Sequence, residues 1–271
     1  MDAAELSLLA DTLRKTMVEH STLRASGSST ASGHELDKSL AELGWLDMLD
    51  DMPDTAIRLV FKALGETGAH APVLNDVVLR EAQRPGGQTV PLPYAGGAWV
   101  VWERKNSRTA ALDGELPIRR VADGDAVPLS RGRIALGWWL AGTSRAMLAL
   151  ARQHAVDRVQ FGRPIASFQA IRHRLADTLV AIEGAEATLG AADDDLSSLL
   201  AKAAAGHAAL VAARHCQQVL GGIGFTAEHE LHRHVKRALI LDGLLGSSRE
   251  LTKQAGAELR KRGSAPRLVS L

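Results

Sequence analysis

The sequence has little cysteine, few aromatic side chains and almost no net charge. A single cysteine, Cys216, stands among 271 residues, which excludes a disulfide framework and a thiolate metal cluster. It lies in an Ala-rich helical run and is interpreted as a buried small hydrophobe. Aromatic residues make up only 4% of the chain, and the abundance of Ala and Leu favours helix over sheet. The formal net charge of +1 gives no support to binding of nucleic acid or of an anionic membrane.

Long uncharged segments are also missing. No apolar run approaches the roughly 20 residues that a membrane span needs. The stretch Met1 to Met17 carries acids and has no uncharged core of the signal-peptide type. What the chain does have is 46% hydrophobic residues, enough for a sizeable core. We therefore expect a cytoplasmic protein without a membrane partner.

Three segments of different composition follow one another. Residues 1–82 have apolar positions at helical spacing and are predicted to form an N-terminal helical domain. Residues 83–129 are rich in Pro and Gly and are predicted to form a small β segment. Residues 130–271 hold long helical stretches with short connections, which predicts an antiparallel four-helix bundle. The short apolar runs of the middle segment, typical of strands, are Trp99–Trp102, Thr109–Leu112 and Leu116–Val121.

The stretch from Arg158 to Gln169 concentrates polar chemistry between two helical segments. The guanidinium of Arg158 is permanently charged and suits phosphate oxygens. The amides of Gln160 and Gln169 can donate to and accept from ribose, adenine or pyrophosphate, and Phe161 offers a ring. On these residues alone, a helix-helix turn with a surface ion pair and a core Phe is as good an interpretation as an anion site.

A second stretch, Gln218 to Gly224, places an amide in the last turn of a helix before the pair Gly221-Gly222. Two glycines allow a ligand or another backbone to approach closely. The stretch is neither a Walker loop, since no Lys-Ser/Thr follows, nor a dinucleotide-binding fingerprint, since no strand precedes it. A simple glycine stop of the helix is an equally good interpretation.

Asp242 is a candidate general base because apolar residues surround it in the sequence, although an exposed helical Asp is the favoured alternative. No metal site is predicted. His232 and His234, with His215 and His229 elsewhere, do not have ligand spacing, because two residues apart on a helix point to different faces. The nearby basic residues make a solvated basic face the better interpretation.

Two of these stretches carry a family resemblance. Arg158-x-Gln-Phe-Gly-x-Pro-Ile-x-x-Phe-Gln-Ala-Ile-x-His-x-Leu-Ala-Asp177 resembles a signature of the acyl-CoA dehydrogenase family. Gln218-Val-Leu-Gly-Gly-Ile-Gly-Phe225 resembles its second C-terminal signature. Leu40-Ala-Glu-Leu-Gly-Trp45 and the stretch from Leu64 to Pro72 are similar to the family's N-terminal helical domain. The C-terminal resemblance covers about half the chain and is specific, whereas the N-terminal one is looser.

The resemblance implies a mainly α fold with an N-terminal helical domain, a middle β domain and a C-terminal antiparallel four-helix bundle. It also implies FAD bound across a subunit interface. In that family the two signatures hold the ADP half of a flavin whose ring lies in the neighbouring subunit. The residues implied to bind FAD in this way are Arg158, Gln160, Phe161, Ile165, Gln169, Gln218, Gly221 and Gly222.

The chain departs from the family in two places. The family's middle domain carries a Thr-Glu-Pro-x-x-Gly-Ser-Asp type loop that covers the flavin ring, and nothing from Leu79 to Ser130 resembles it. The middle β domain is therefore strongly reduced. The family's base is usually a Glu before a Gly, and the corresponding position is Asp242-Gly243, one methylene shorter. The other place where members keep the base falls near Gly132-Arg133, where there is no carboxylate.

These departures imply the short, degenerate subunit of a heteromeric acyl-CoA dehydrogenase, similar to those of actinobacterial steroid degradation. A full-length subunit, in a heterodimer or an α2β2 heterotetramer, would supply the base, the flavin-ring pocket and the acyl-CoA cleft. The reaction would be α,β-dehydrogenation of an acyl-CoA, such as a steroid-derived CoA thioester. Two alternatives stay open: a non-enzymatic dimerisation or scaffold protein that kept the bundle, and an autonomous enzyme that uses Asp242.

Overall fold

The computed structural model of the protein describes residues 2–23, 29–104 and 116–265. Its N-terminal part is helical. Pro53 begins one of these helices, where its fixed φ and missing N–H cost nothing. Gly44 and Gly68 adopt left-handed backbone at two helix boundaries, with φ of 80° and 68°. The five helices are α1 (Ala3–Leu23), α2 (Ser29–Glu42), α3 (Trp45–Asp51), α4 (Pro53–Thr67) and α5 (Leu74–Glu81).

A three-stranded antiparallel sheet follows, in the order β1 (Pro91–Tyr94), β2 (Ala98–Trp102) and β3 (Ile118–Val121). Leu92 pairs with Val100, and both are buried. The predicted runs at 99–102 and 116–121 therefore fall on β2 and β3, whereas Thr109–Leu112 lies outside the described residues. The sequence did not predict β1, because two of its four residues are prolines.

The C-terminal helices form the bundle. α8 packs against α6, α7, α9 and α10, and α6 and α8 are the most deeply buried of these helices. Trp139 of the first helix stacks on Trp102 of β2, with ring centroids 5.3 Å apart, which seats the sheet on the bundle. The bundle helices are α6 (Ser130–Asp157), α7 (Gln169–Gly190), α8 (Asp195–Leu220), α9 (Leu231–Gly243) and α10 (Ser248–Arg262).

Two of the described helical segments are long and apolar enough to cross a bilayer, contrary to the expectation from the sequence. They are Ser130–Asp157 and the run Asp195–Phe225. In each, 67% of the most apolar stretch is buried inside the protein. A helix that is apolar on all sides is also what the centre of a soluble bundle requires. Their composition is therefore explained by packing of α6 and α8 in the core.

One charged side chain lies at the centre of this core. Lys202 of α8 is completely buried. Its Nζ donates to the backbone carbonyl of Asp242 at 2.6 Å and to that of Gly246. Burial lowers the pKa of this ammonium to about 7, although the nearby carboxylate of Asp242 opposes the shift. The lysine thus holds together the turn that joins α9 to α10.

Lys202 gives the fold a distinct dependence on pH. In the unfolded chain a lysine keeps its proton up to a pH of about 10.4, whereas Lys202 in the folded chain loses it near 7. Unfolding therefore takes up a proton between these values, and the free energy of unfolding should rise with pH, by at most about 1.4 kcal/mol per unit. Guanidinium unfolding at pH 7, 7.5 and 8 measures this rise, because above about 8.5 an unfolded cysteine loses its proton and the raised pKa of the buried Cys216 thiol opposes the rise. We expect Lys202→Met to abolish it and Lys253→Met, on the exposed side of α10, to retain it; equal slopes for both variants would contradict the assignment.

Candidate functional site

The stretch after α6 folds into a tight hairpin. Strands β4 (Val159–Gln160) and β5 (Arg163–Pro164) pair antiparallel. The two residues between them, Phe161 and Gly162, both have positive φ, 54° and 77°, which is the two-residue turn that matches strand twist. Gly adopts this conformation freely, but a Phe in it is strained. The Phe161 side chain is 90% exposed, and its edge-to-face contact with the ring of Phe168, at a centroid separation of 6.0 Å, offsets only part of the strain.

The hairpin gathers three of the predicted residues on one face. Ile165 N–H donates to the carbonyl of Arg158 at 2.8 Å, which extends the pairing by one residue. Since side chains alternate along strands, Arg158, Gln160 and Ile165 point to the same side. Ile165 packs against the core, whereas Arg158 and Gln160 are exposed. Neither makes a side-chain hydrogen bond or an ion pair within the described part of the chain. The next predicted residue, Gln169, is exposed at the start of α7.

The second stretch lies at the end of α8. Gly221 has φ of 66° and ψ of −140°, a conformation that essentially only glycine adopts. A Cβ added to Gly221 or Gly222 would meet no atom within 4 Å. The space above this backbone is open, so a ligand can approach it closely. Gln218 is exposed in the last turn of α8.

Both stretches lie at the same end of the bundle. α6 and α8 end there, and α7 and α9 begin there. His154, near the end of α6, has its pKa lowered by burial and then by the positive charges of His229 and Arg158. His229, which precedes α9, therefore lies close to the hairpin. The positive charges of Arg158 and His229 favour an anionic ligand, and the carboxylate of Asp157 opposes them. The structure therefore brings all eight residues of the predicted FAD site to one exposed end.

The histidines and the cysteine have ordinary explanations. Among the described residues, no group of three or more His, Cys, Asp or Glu side chains is placed to hold a metal ion. His215 Nδ1 lies 2.9 Å from the hydroxyl of Thr178, which joins α8 to α7. Cys216 is fully buried, as predicted, and burial raises the pKa of its thiol to about 12. It has the character of a packing residue.

The predicted base, Asp242, faces the interior at the opposite end. Its side chain is buried, and Oδ1 accepts from the backbone N–H of Ser248 at 3.0 Å, in the first turn of α10. A carboxylate at that position satisfies an otherwise unpaired donor and complements the helix dipole. The same oxygen rests against Gly206 of α8, where a Cβ would collide with it.

Tyr94, which sequence reasoning missed, covers this position from outside. A Cβ added to Gly243 would lie 2.5 Å from Cζ and 2.6 Å from Oη of the Tyr94 ring. Leu245 N–H donates to the carbonyl of Pro93 at 2.8 Å, so β1 is held to the turn. Burial and then the charge of Asp242 raise the pKa of the Tyr94 phenol. No sequence motif marks this tyrosine, since only the tertiary contact gives it a role.

The second position where the family keeps a base is filled by apolar side chains. A Cβ at Gly132 would lie 2.9 Å from a methyl group of Leu245 and 3.0 Å from one of Val78. The next residue, Arg133, has its Nε buried without a hydrogen-bond partner. Neither position presents a carboxylate to an open cleft.

Comparisons with known proteins agree with this architecture. Residues 126–259 match the family model described as the C-terminal domain of acyl-CoA dehydrogenase. The acyl-CoA dehydrogenase IpdE2 of Mycobacterium tuberculosis is 37% identical in an alignment of 174 positions that covers 60% of this chain and 55% of the relative. The chain thus spans about half the length of this curated relative.

Two solved structures share the fold. A Tcur3481-Tcur3483 steroid ACAD aligns with a TM-score of 0.76 and 19% identity over 97% of this chain and 99% of that one. The ChsE4-ChsE5 complex of Mycobacterium tuberculosis aligns with a TM-score of 0.68 and 22% identity over 98% of this chain and 100% of that one. The predicted fold, with a strongly reduced middle β segment between N-terminal helices and the bundle, is confirmed.

Phe161→Asn tests whether the left-handed backbone of Phe161 at the hairpin tip destabilises the isolated chain. Asn before Gly is the preferred pair for this turn. Relief of the left-handed Phe, worth about 1–3 kcal/mol, should exceed the loss of the edge-to-face contact with Phe168, worth about 0.5–1.5 kcal/mol, so we expect the free energy of unfolding to rise. Urea denaturation measures the change. Phe225→Asn is the matched control, because Phe225 is 67% exposed without positive φ, and it should give no gain. Destabilisation by Phe161→Asn would show that the ring supports the fold.

Proposed function

We infer that the chain is the short subunit of a heteromeric, FAD-dependent acyl-CoA dehydrogenase, since residues 126–259 match the model of the C-terminal domain of that family. It completes the FAD site of a full-length catalytic subunit in a heterodimer or an α2β2 heterotetramer in the cytoplasm. The reaction is α,β-dehydrogenation of an acyl-CoA such as a steroid-derived CoA thioester.

The observation that carries this proposal is the contrast between the two ends of the bundle. At one end, Arg158 and Gln160 are exposed beside open backbone at Gly221. At the other, Asp242 is bonded to Ser248 and covered by neighbouring elements. Among the described residues, the chain offers half of a nucleotide site, and neither position at which the family keeps its base holds an accessible carboxylate. A partner that contributes the reacting half makes the two features consistent.

The described residues fit the ADP half of FAD. Arg158 has no competing carboxylate and would bind the pyrophosphate through its fork of N–H donors. Gln160 and Gln169 would bind the nucleoside, and Gln218 would do so from the other stretch. No atom covers the backbone at Gly221-Gly222, so the ligand would be able to approach it closely. When bound, FAD supplies the hydride acceptor, while this chain's part is to hold and orient the nucleotide.

The similar structures support the partner and the substrate class. The ChsE4-ChsE5 structure is of a complex, and the Tcur3481-Tcur3483 structure is of a steroid ACAD. Phe161 at the hairpin tip and Phe225 at the end of the second stretch are both largely exposed. Large exposed apolar side chains beside a functional site are typical of a protein interface.

Co-expression with a full-length family member tests the FAD site. We expect a stable assembly with flavin absorbance, and Arg158→Ala should remove most of the FAD while the assembly survives, because the pyrophosphate loses its charged donor. Arg152→Ala, an exposed arginine of α6 without an ion pair among the described residues, should retain the flavin. An assembly that never contains FAD would favour the scaffold alternative instead.

Asp242→Asn separates a structural carboxylate from a catalytic base. Asn accepts a hydrogen bond as well as Asp does at a helix N-terminus, so stability should be nearly kept, whereas Asp242→Ala should lower the free energy of unfolding by about 1–2 kcal/mol. Neither change should alter turnover of the assembled enzyme. If the isolated chain oxidised an acyl-CoA and Asp242→Asn abolished this, the chain would be an autonomous enzyme.

A further inference from the structure

Arg163 lies in the hairpin of β4 and β5, and its guanidinium lies over an aromatic ring. Its guanidinium carbon is 4.4 Å from the ring centroid of Phe168. Phe168 in turn meets Phe161 edge to face, at a centroid separation of 6.0 Å. A guanidinium that stacks by its face is held in place while its N–H donors point outward along its edges. An exposed arginine is therefore ordered before any ligand binds.

The hairpin register places this group beside the proposed nucleotide site. Arg163 pairs directly with Gln160, so the two side chains share a face. Arg158, two residues before Gln160, is on that face too, and a diagonal neighbour across two strands is roughly 7–8 Å away. Within the described part of the chain neither arginine has a carboxylate partner, and the nearby Asp157 accepts from the amide of Gln153.

Two guanidinium groups on one face match a ligand with two phosphates. One arginine can bind one phosphate through two parallel N–H donors, and a diphosphate presents two such groups. We propose that Arg163, positioned by Phe168, is the second cation of the site and binds the other phosphate of an adenosine diphosphate moiety. This assignment rests on the proposed function. It adds the role of Arg163, which is inferred from its contact with Phe168 and from its pairing with Gln160.

Titration of the full chain with ADP and with AMP tests the proposal, with NMR chemical shifts as the readout. The wild-type chain should bind ADP more tightly than AMP. Arg163→Gln should weaken ADP binding by about fivefold and AMP binding by less than twofold, as expected for one exposed charged contact. Arg163→Lys keeps the charge but not the fork and should recover part of the loss. Arg152→Gln should change neither affinity.

The outcomes separate this proposal from the function it rests on. Equal weakening of ADP and AMP by Arg163→Gln, or no weakening, would overturn the role of Arg163. If Arg158→Gln still weakened ADP binding in that case, the nucleotide site itself would stand. A wild-type chain that binds neither nucleotide would contradict both. Phe168→Leu keeps an apolar contact but removes the ring face, so it should weaken ADP binding by less than Arg163→Gln.

Discussion

The buried amino group of Lys202 donates to two backbone carbonyls and so fixes the turn between α9 and α10. The contact between the bundle and the sheet depends on this turn. Lys202 can satisfy its donors only if the carbonyls of Asp242 and Gly246 converge on it. The chain meets this requirement with left-handed backbone at Leu245 and Gly246, φ of 58° and 97°. That conformation turns the Leu245 N–H towards Pro93, so the first strand docks on the turn. One interior charge thus connects the bundle to the sheet.

The two ends of the bundle differ in how their strained backbone is stabilised and in how far their side chains are buried. At the closed end, unusual backbone is stabilised by hydrogen bonds to buried groups. At the open end, Phe161 is held in a left-handed conformation with 90% of its side chain exposed. The contact of Phe161 with Phe168 offsets this strain only in part. The bundle is thus closed at one end and exposed at the other, which supports the proposal that the chain is a subunit.

The sequence predicted what depends on local periodicity and contiguous motifs. The long helices follow from apolar spacing, and the exposed end follows from Arg158–Gln169 and Gln218–Gly224, because residues close in sequence stay close in a hairpin or a helix end. It did not predict β1, whose prolines are tolerated only because it is an edge strand. It also missed Tyr94 and Arg163, since a contact with Gly243 and a strand register are properties of the folded chain.

Gly206 of α8 leaves the space that the carboxylate of Asp242 occupies. The carboxylate of Asp242 reaches the N–H of Ser248 only by lying against α8, and any Cβ at residue 206 would occupy that space. A longer side chain would carry its oxygens past this donor. The Tyr94 ring lies against Gly243 on the other side of the same turn. The carboxylate and the ring therefore close this end of the bundle together, which supports the proposal that the chain contributes to a reaction through its exposed end.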